Sequence, residues 1–324
     1  MNRLIFIACL LLAAPFSMSA QKVVEKEPKS KASSQSYESF KKKASENIPD
    51  ILREAERLKS NNPEQALQKV QEALGLSLTQ GDSYSEGKCY VLLGEINEGI
   101  AEWNLALDNY NRAHQTLTGK YATTKESKRA SKGLGDMNLK LGNHSQALTH
   151  YQQLLASKIS TTEKAGYQLD ISEVYYQMGD YKSALDVVSR IQYNTKDGNP
   201  SLESRVENQK AKIYAQLNDV DNTRQSFSNS INTLRSSNAQ PSNKKFDESK
   251  TAETPAEQIF RDNKEEIAGA LRKQGRYDDE IDIRNQSIEY NLESNNLKEV
   301  TKDKVGLSKA LAAKGETSEA IREL

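Results

Sequence analysis

Apolar and small residues recur along this chain in blocks separated by short polar turns, and the same block returns at a nearly constant interval. Four segments show it best: Leu141-Gly142-Asn143-His144-Ser145-Gln146-Ala147-Leu148, Met178-Gly179-Asp180-Tyr181-Lys182-Ser183-Ala184-Leu185, Gln274-Gly275-Arg276-Tyr277-Asp278-Asp279-Glu280-Ile281 and Lys314-Gly315-Glu316-Thr317-Ser318-Glu319-Ala320-Ile321. Weaker copies are Asn61 to Leu67 and Leu217 to Arg224. In the four best segments a glycine ends one helix by entering the left-handed region without steric cost, and a few polar residues later a second helix begins. The small Ala that follows lets two helices approach closely. Counted from Leu67, the equivalent positions are Leu107, Leu148, Leu185, Arg224, Ile281 and Ile321, in steps of 40, 41, 37, 39, 57 and 40 residues. The pattern predicts antiparallel helix pairs joined by tight turns and repeated down the chain.

The copy from Gly94 to Ala106 lacks a turn glycine, yet Leu92-Leu93-Gly94, Trp103, Ala106, Tyr110 and Ala113 keep the spacing. With Leu134, Gly135, Ala147 and Tyr151 in the next unit, and Ile171, Tyr175, Ala184 and Val188 after that, the chain resembles the tetratricopeptide repeat family. The resemblance runs from about Ser45 to the end. It implies an all-α, right-handed superhelical solenoid of antiparallel helix pairs, with a period of about 37–41 residues in place of the standard 34. About six units are recognisable. The one containing Glu280 and Arg284 departs from the pattern, having these charges where Ala and an aromatic belong, and its packing is expected to be the least secure.

Three stretches break the repetition. Residues 1–20 join Met1-Asn2-Arg3 to the apolar run Leu4 to Ala14 and a small-residue tail ending at Ala20, the layout of a signal peptide cut before Gln21 or, as the alternative, after Ser19. Residues 21–44 read as a flexible leader, and 236–258, with Pro241 and Pro255 among Ser, Asn, Lys and Glu, as a disordered insert between repeat blocks 45–235 and 259–324. The last repeat is read as incomplete at Leu324.

Composition narrows the function. Lys plus Arg and Asp plus Glu both number 45, so no global field points to nucleic acid. A mean hydropathy of −0.78 with 6 Phe and 1 Trp suits a thin, extended core. Once residues 1–20 are removed, Cys89 is the sole cysteine, which rules out an internal disulfide. No phosphate loop, Gly-x-Ser-x-Gly elbow or His-Glu-x-x-His helix occurs, so no catalytic residue, cofactor or metal is expected. His114, His144 and His150 read as solvated side chains, Cys89 as an inert helix residue, and Trp103 with Tyr110 as core.

What the resemblance implies about function is a groove on the first helix of each pair, holding a protein or peptide. Spacing from Gly94, Gly135, Ser172 and Ala211 selects Val91, Glu95 and Glu98, then Lys132, Asp136, Leu139 and Lys140, then Leu169, Glu173, Tyr176 and Gln177, then Arg205, Asn208 and Lys212. Of these, Lys132, Asp136, Lys140, Glu173, Tyr176, Arg205, Asn208 and Lys212 are the candidate binding residues. A family variant grips a terminal carboxylate with Lys and Asn, but here Asp136 and Asp170 stand where Asn is needed and would repel that ligand. A mixed-charge partner surface is expected instead. Signal peptide plus long-period repeats also resembles the extracytoplasmic sensing part of bacterial sensor histidine kinases. The alternative is a free-standing periplasmic or outer-membrane scaffold.

Overall fold

A computed structural model describes residues 47–192, 200–238 and 255–324, so the signal peptide, the leader and most of the insert lie outside the described residues. The described residues form fourteen α-helices, one 3-10 turn at Gly119–Tyr121 and no strand. In chain order these are α1 (47–58), α2 (Pro63–Gln80), α3 (Ser83–Gly99), α4 (Trp103–Thr116), α5 (Lys125–Lys140), α6 (His144–Ala156), α7 (Thr161–Gln177), α8 (Tyr181–Ser189), α9 (Pro200–Gln216), α10 (Val220–Asn238), α11 (Pro255–Lys273), α12 (Tyr277–Glu293), α13 (Leu297–Lys314) and α14 (Thr317–Arg322). The seven residues equivalent to Leu67 fall one on each even-numbered helix. The tetratricopeptide-like register therefore holds through seven helix pairs, one more than the clearest sequence copies. Two ends of the expected insert are helical, since α10 runs to Asn238 and α11 starts at Pro255.

The turns form for the reason the pattern implies. Gly142, Gly179, Gly275 and Gly315, the four motif glycines, have φ of 76°, 77°, 70° and 100°. Where the chain lacks glycine, Ala101, Asn218 and Asn295 take the same left-handed step at 63°, 59° and 56°. The backbone N–H three residues past the helix end then reaches back five residues, as in Asp180 N to Tyr175 O at 2.9 Å and Glu102 N to Asn97 O at 2.9 Å, satisfying carbonyls the helix leaves open. Second helices begin on side-chain caps in places: Asp180 accepts from the Ser183 N–H at 3.1 Å.

The chain divides into two compact units, one ending at Met137 and one beginning at Asn138. In the first, Ala106, Tyr110, Leu134 and Met137 form a buried cluster with Trp103 and Leu107 packed on it. Tyr110 fits because two facing residues have no side chain: a Cβ on Gly94 would come within 2.6 Å of its ring, and one on Gly133 within 2.4 Å. Cys89 is fully buried, and burial pushes its thiol up to about 12, as the inert reading requires.

In the second unit the apolar core centres on Phe227, Phe260 and Tyr290, with Phe227 stacked on Phe260 at 5.2 Å between centroids and Tyr290 edge-on to Phe260 at 5.6 Å. Beside it, the departing repeat buries its charges. Glu280 is 0% exposed and accepts from Arg272 and from Arg284 Nε at 3.0 Å. Arg284, 4% exposed, also donates to both Glu265 oxygens, at 3.3 and 3.2 Å. A further buried pair, Lys264 and Asp303, is completed by Ser287 Oγ at 2.7 Å and Asn291 Nδ2 at 3.0 Å, both donating to Asp303.

Candidate functional site

The first helices of the second unit carry a cleft of about 210 Å³. Helix α9 packs against both α7 and α11, and each supplies residues spaced three or four apart, which places them on one helical face. From α7 come Leu169, Asp170 and Glu173; from α9, Arg205, Gln209 and Lys212; from α11, Ile259, Asn263 and Glu266.

Lys212 organises the floor. Its side chain is 3% exposed, so its charge has little water and must be met by protein groups. Glu173 Oε2 lies 2.6 Å from Nζ, and Glu266 Oε2 lies at 3.6 Å. The ammonium also sits 4.2 Å from the centre of the Tyr176 ring, close enough for the ring's negative face to contribute. Glu173 is held further by Gln209 Nε2 at 3.1 Å, and Gln216 Nε2 donates to the Tyr176 hydroxyl at 2.9 Å. Burial and the nearby Glu266 carboxylate push the Tyr176 hydroxyl well above its ordinary value, so it stays a neutral donor and acceptor. The result is a cross-linked floor with a mixed-charge, partly apolar rim, suited to hydrogen bonding and ion pairing with a ligand and holding no nucleophile with an adjacent base.

Of the residues expected from sequence, Glu173, Arg205 and Lys212 line the cleft, and Tyr176 joins through Lys212. Asn208 does not present itself to a ligand: it is 1% exposed, turned inward from α9, and neither atom of its amide has a hydrogen-bond partner. One helical position separates it from Gln209, which does line the cleft. Val91 is likewise buried, in a cluster with Ala113, Leu117 and Ala130. Lys132 and Asp136 pair with each other at 2.8 Å, four residues apart on α5 in the first unit. Lys140 is exposed, belongs to the second unit, and is not among the cleft residues. The expected groove residues are thus shared between two units, and half of them form the cleft.

The α11 residues were missed because spacing was carried only as far as Ala211. The 57-residue step that separates Arg224 from Ile281 also separates Gln209 from Glu266, so the signal was present in the repeat register.

No protein-family model matches the sequence, and no curated protein matches it significantly. Solved structures do. The apo form of RapI is similar with a TM-score of 0.58 at 14% identity, over 85% of this chain and 74% of that one. Aspartyl phosphate phosphatase F from Bacillus subtilis gives 0.57 at 9% identity, over 89% of this chain and 70% of that one. A Rap protein complexed with Competence and Sporulation Factor gives 0.52 at 14% identity, over 86% and 74%. At these identities the likeness is one of fold.

Proposed function

We propose that this chain is an exported peptide-binding repeat protein of the bacterial envelope, holding an extended peptide in the cleft between α7, α9 and α11. The observation that carries this reading is the placement of Lys212: a buried ammonium fixed by Glu173, Glu266 and Tyr176 at the base of an open cleft built from three consecutive first helices. A floor already cross-linked loses little side-chain entropy when a ligand arrives. The similar Rap protein solved with Competence and Sporulation Factor bound supports the choice of a binding protein. Among the charged lining residues, Asp170, Glu173 and Glu266 face Arg205 and Lys212. Because Lys212 is committed to Glu173, the charge left for a partner favours a peptide with a basic side chain, its apolar part resting on Leu169 and Ile259. Residues 1–20 support export, with the repeats acting as the sensing region of a longer signalling protein.

Affinity capture by the mature chain from an envelope extract tests both halves, with N-terminal sequencing of the chain and mass spectrometry of bound peptides. The reading expects a chain beginning near Gln21 and basic peptides whose capture falls at least tenfold with Glu266→Lys. An unprocessed start defeats the export half, and unchanged capture by Glu266→Lys defeats the cleft.

A further inference from the structure

A second and larger cleft, about 520 Å³, lies in the same unit, lined by residues of α11, α12 and α13. Its volume falls in the range that holds small ligands. Gly306 of α13 forms part of its wall, and an added Cβ there would come within 2.1 Å of the Arg284 guanidinium. Arg284 is spent on Glu280 and Glu265, so it shapes the wall and brings no unmet charge.

Two groups in this cleft are not spent. Glu299 is 4% exposed, and only its Oε1 is paired, with Lys302 at 2.5 Å. Its Oε2 is buried with no hydrogen-bond partner. A buried carboxylate oxygen left without a donor is costly, so this atom calls for an N–H from outside the protein. At the other end of the same helical stripe, Lys309 is exposed and, among the described residues, has no ion-pair partner. Between them Val305, 38% exposed, offers an apolar surface.

The spacing of these groups sets the ligand. Glu299 and Lys309 are ten residues apart on α13, roughly 15 Å along the axis at about 1.5 Å per residue. Two side chains reaching toward each other shorten that gap to on the order of 10 Å, the length of about three residues of extended chain at ~3.4 Å each. A free amino acid is too short to touch both. We propose that this cleft binds a short peptide of three or four residues with both termini free, its ammonium on Glu299 and its carboxylate on Lys309, lying over Val305. This site is independent of the α7–α9–α11 cleft, and its occupancy does not require that one to bind anything.

Isothermal titration of the full chain with trialanine, N-acetyl-trialanine and trialanine amide tests the assignment. Trialanine is expected to bind, N-acetylation to weaken it at least tenfold, and amidation by a smaller factor. Glu299→Gln, nearly isosteric, should match the loss from N-acetylation while leaving capture by the first cleft and the circular dichroism spectrum unchanged. Absence of trialanine binding at millimolar concentration overturns the proposal. So does binding that tolerates both N-acetylation and Glu299→Gln. Because the modified peptides are tested on the unaltered chain, a variant that misfolds does not decide the outcome.

Discussion

Tyr110 in the first unit and Arg284 in the second occupy the same place in their repeats, four residues after Ala106 and Glu280 respectively. Gly133 and Gly306 are equivalent as well, each lying fifteen residues before Leu148 and Ile321. In both units, then, a large side chain from a second helix lies against a bare backbone on the next first helix. What fills the socket differs. Tyr110 brings a ring and sends only its hydroxyl to Glu98, at 3.0 Å. Arg284 brings a charge, which obliges the site to bury Glu280 and to recruit Glu265 and Arg272. The repeat geometry fixes the shape of the contact and leaves its chemistry open. The cost of that freedom is that the charged socket depends on partners the aromatic one does without.

Single substitutions should expose the dependence most strongly. Arg284→Met keeps much of the volume but leaves the fully buried Glu280 with Arg272 alone, and is expected to cost about 3 to 5 kcal/mol, the range for breaking a buried ion pair. Tyr110→Ala removes a ring that is 2% exposed and should cost a similar ~3 to 5 kcal/mol, for the different reason of an unfilled cavity. Urea denaturation followed by circular dichroism measures both. Trp103, packed on the Tyr110 cluster, reports by fluorescence on the first socket alone. If Arg284→Met disturbed Trp103 fluorescence as much as Tyr110→Ala does, the two sockets would not be separate.

The comparison also marks how much could be read in advance. The helix pairs, their order and their turns were legible because each rests on local rules: glycine at a positive φ, and a small residue where helices cross. Glu280 and Arg284 were legible as departures but were expected to weaken their repeat. A charge at a core position looks like a defect until its partners are known, and Glu265 and Arg272 lie on another helix at distances in sequence that no periodicity encodes. Gly133 and Gly306 passed unnoticed for a related reason. Their significance lies in the side chain that occupies the space above them. Asn208 shows the limit on the functional side: helical spacing places a residue on a face to within about 100°, and Asn208 and Gln209 differ by that angle. Both side chains are buried, and which of the two borders the cleft is decided by the neighbouring helices.

A paired substitution would turn the departing repeat back into the pattern. Glu280→Ala with Arg284→Tyr restores the residues that Ala106 and Tyr110 represent, over the Gly306 backbone that already leaves room. Arg272 and Glu265, with side chains 36% and 54% exposed, are expected to turn to solvent once released. Replacing a buried ion pair by well-packed apolar groups is neutral or stabilising by about 1 to 4 kcal/mol, so the double variant should melt at or above the parent while each single variant melts below it. A double variant less stable than both singles would show that Gly306 is matched to a guanidinium in particular.

The smallest effect concerns acid. Burial works to raise the Glu265 carboxyl, but the hydrogen bonds and charge of Arg284 outweigh it and hold the group below the ordinary carboxylate range. A carboxyl whose folded value is depressed binds its proton more readily in the unfolded chain. Its contribution is therefore fully present above the unfolded value, about 4.3, and is lost as pH falls through the lower folded value. Because the Glu265 side chain is 54% exposed, solvent screens the interaction and the loss should be small. The first unit has a counterpart in Glu56, held low by Lys59 and Arg129 against its own desolvation. Denaturation midpoints measured from pH 6 down to pH 3 should fall less steeply for Glu265→Gln than for the parent, and Glu56→Gln should flatten the Trp103-detected transition instead. Equal slopes for Glu265→Gln and the parent would mean that Arg284 draws its compensation from Glu280 alone, and that the charged socket is a buried pair with a spectator at its rim.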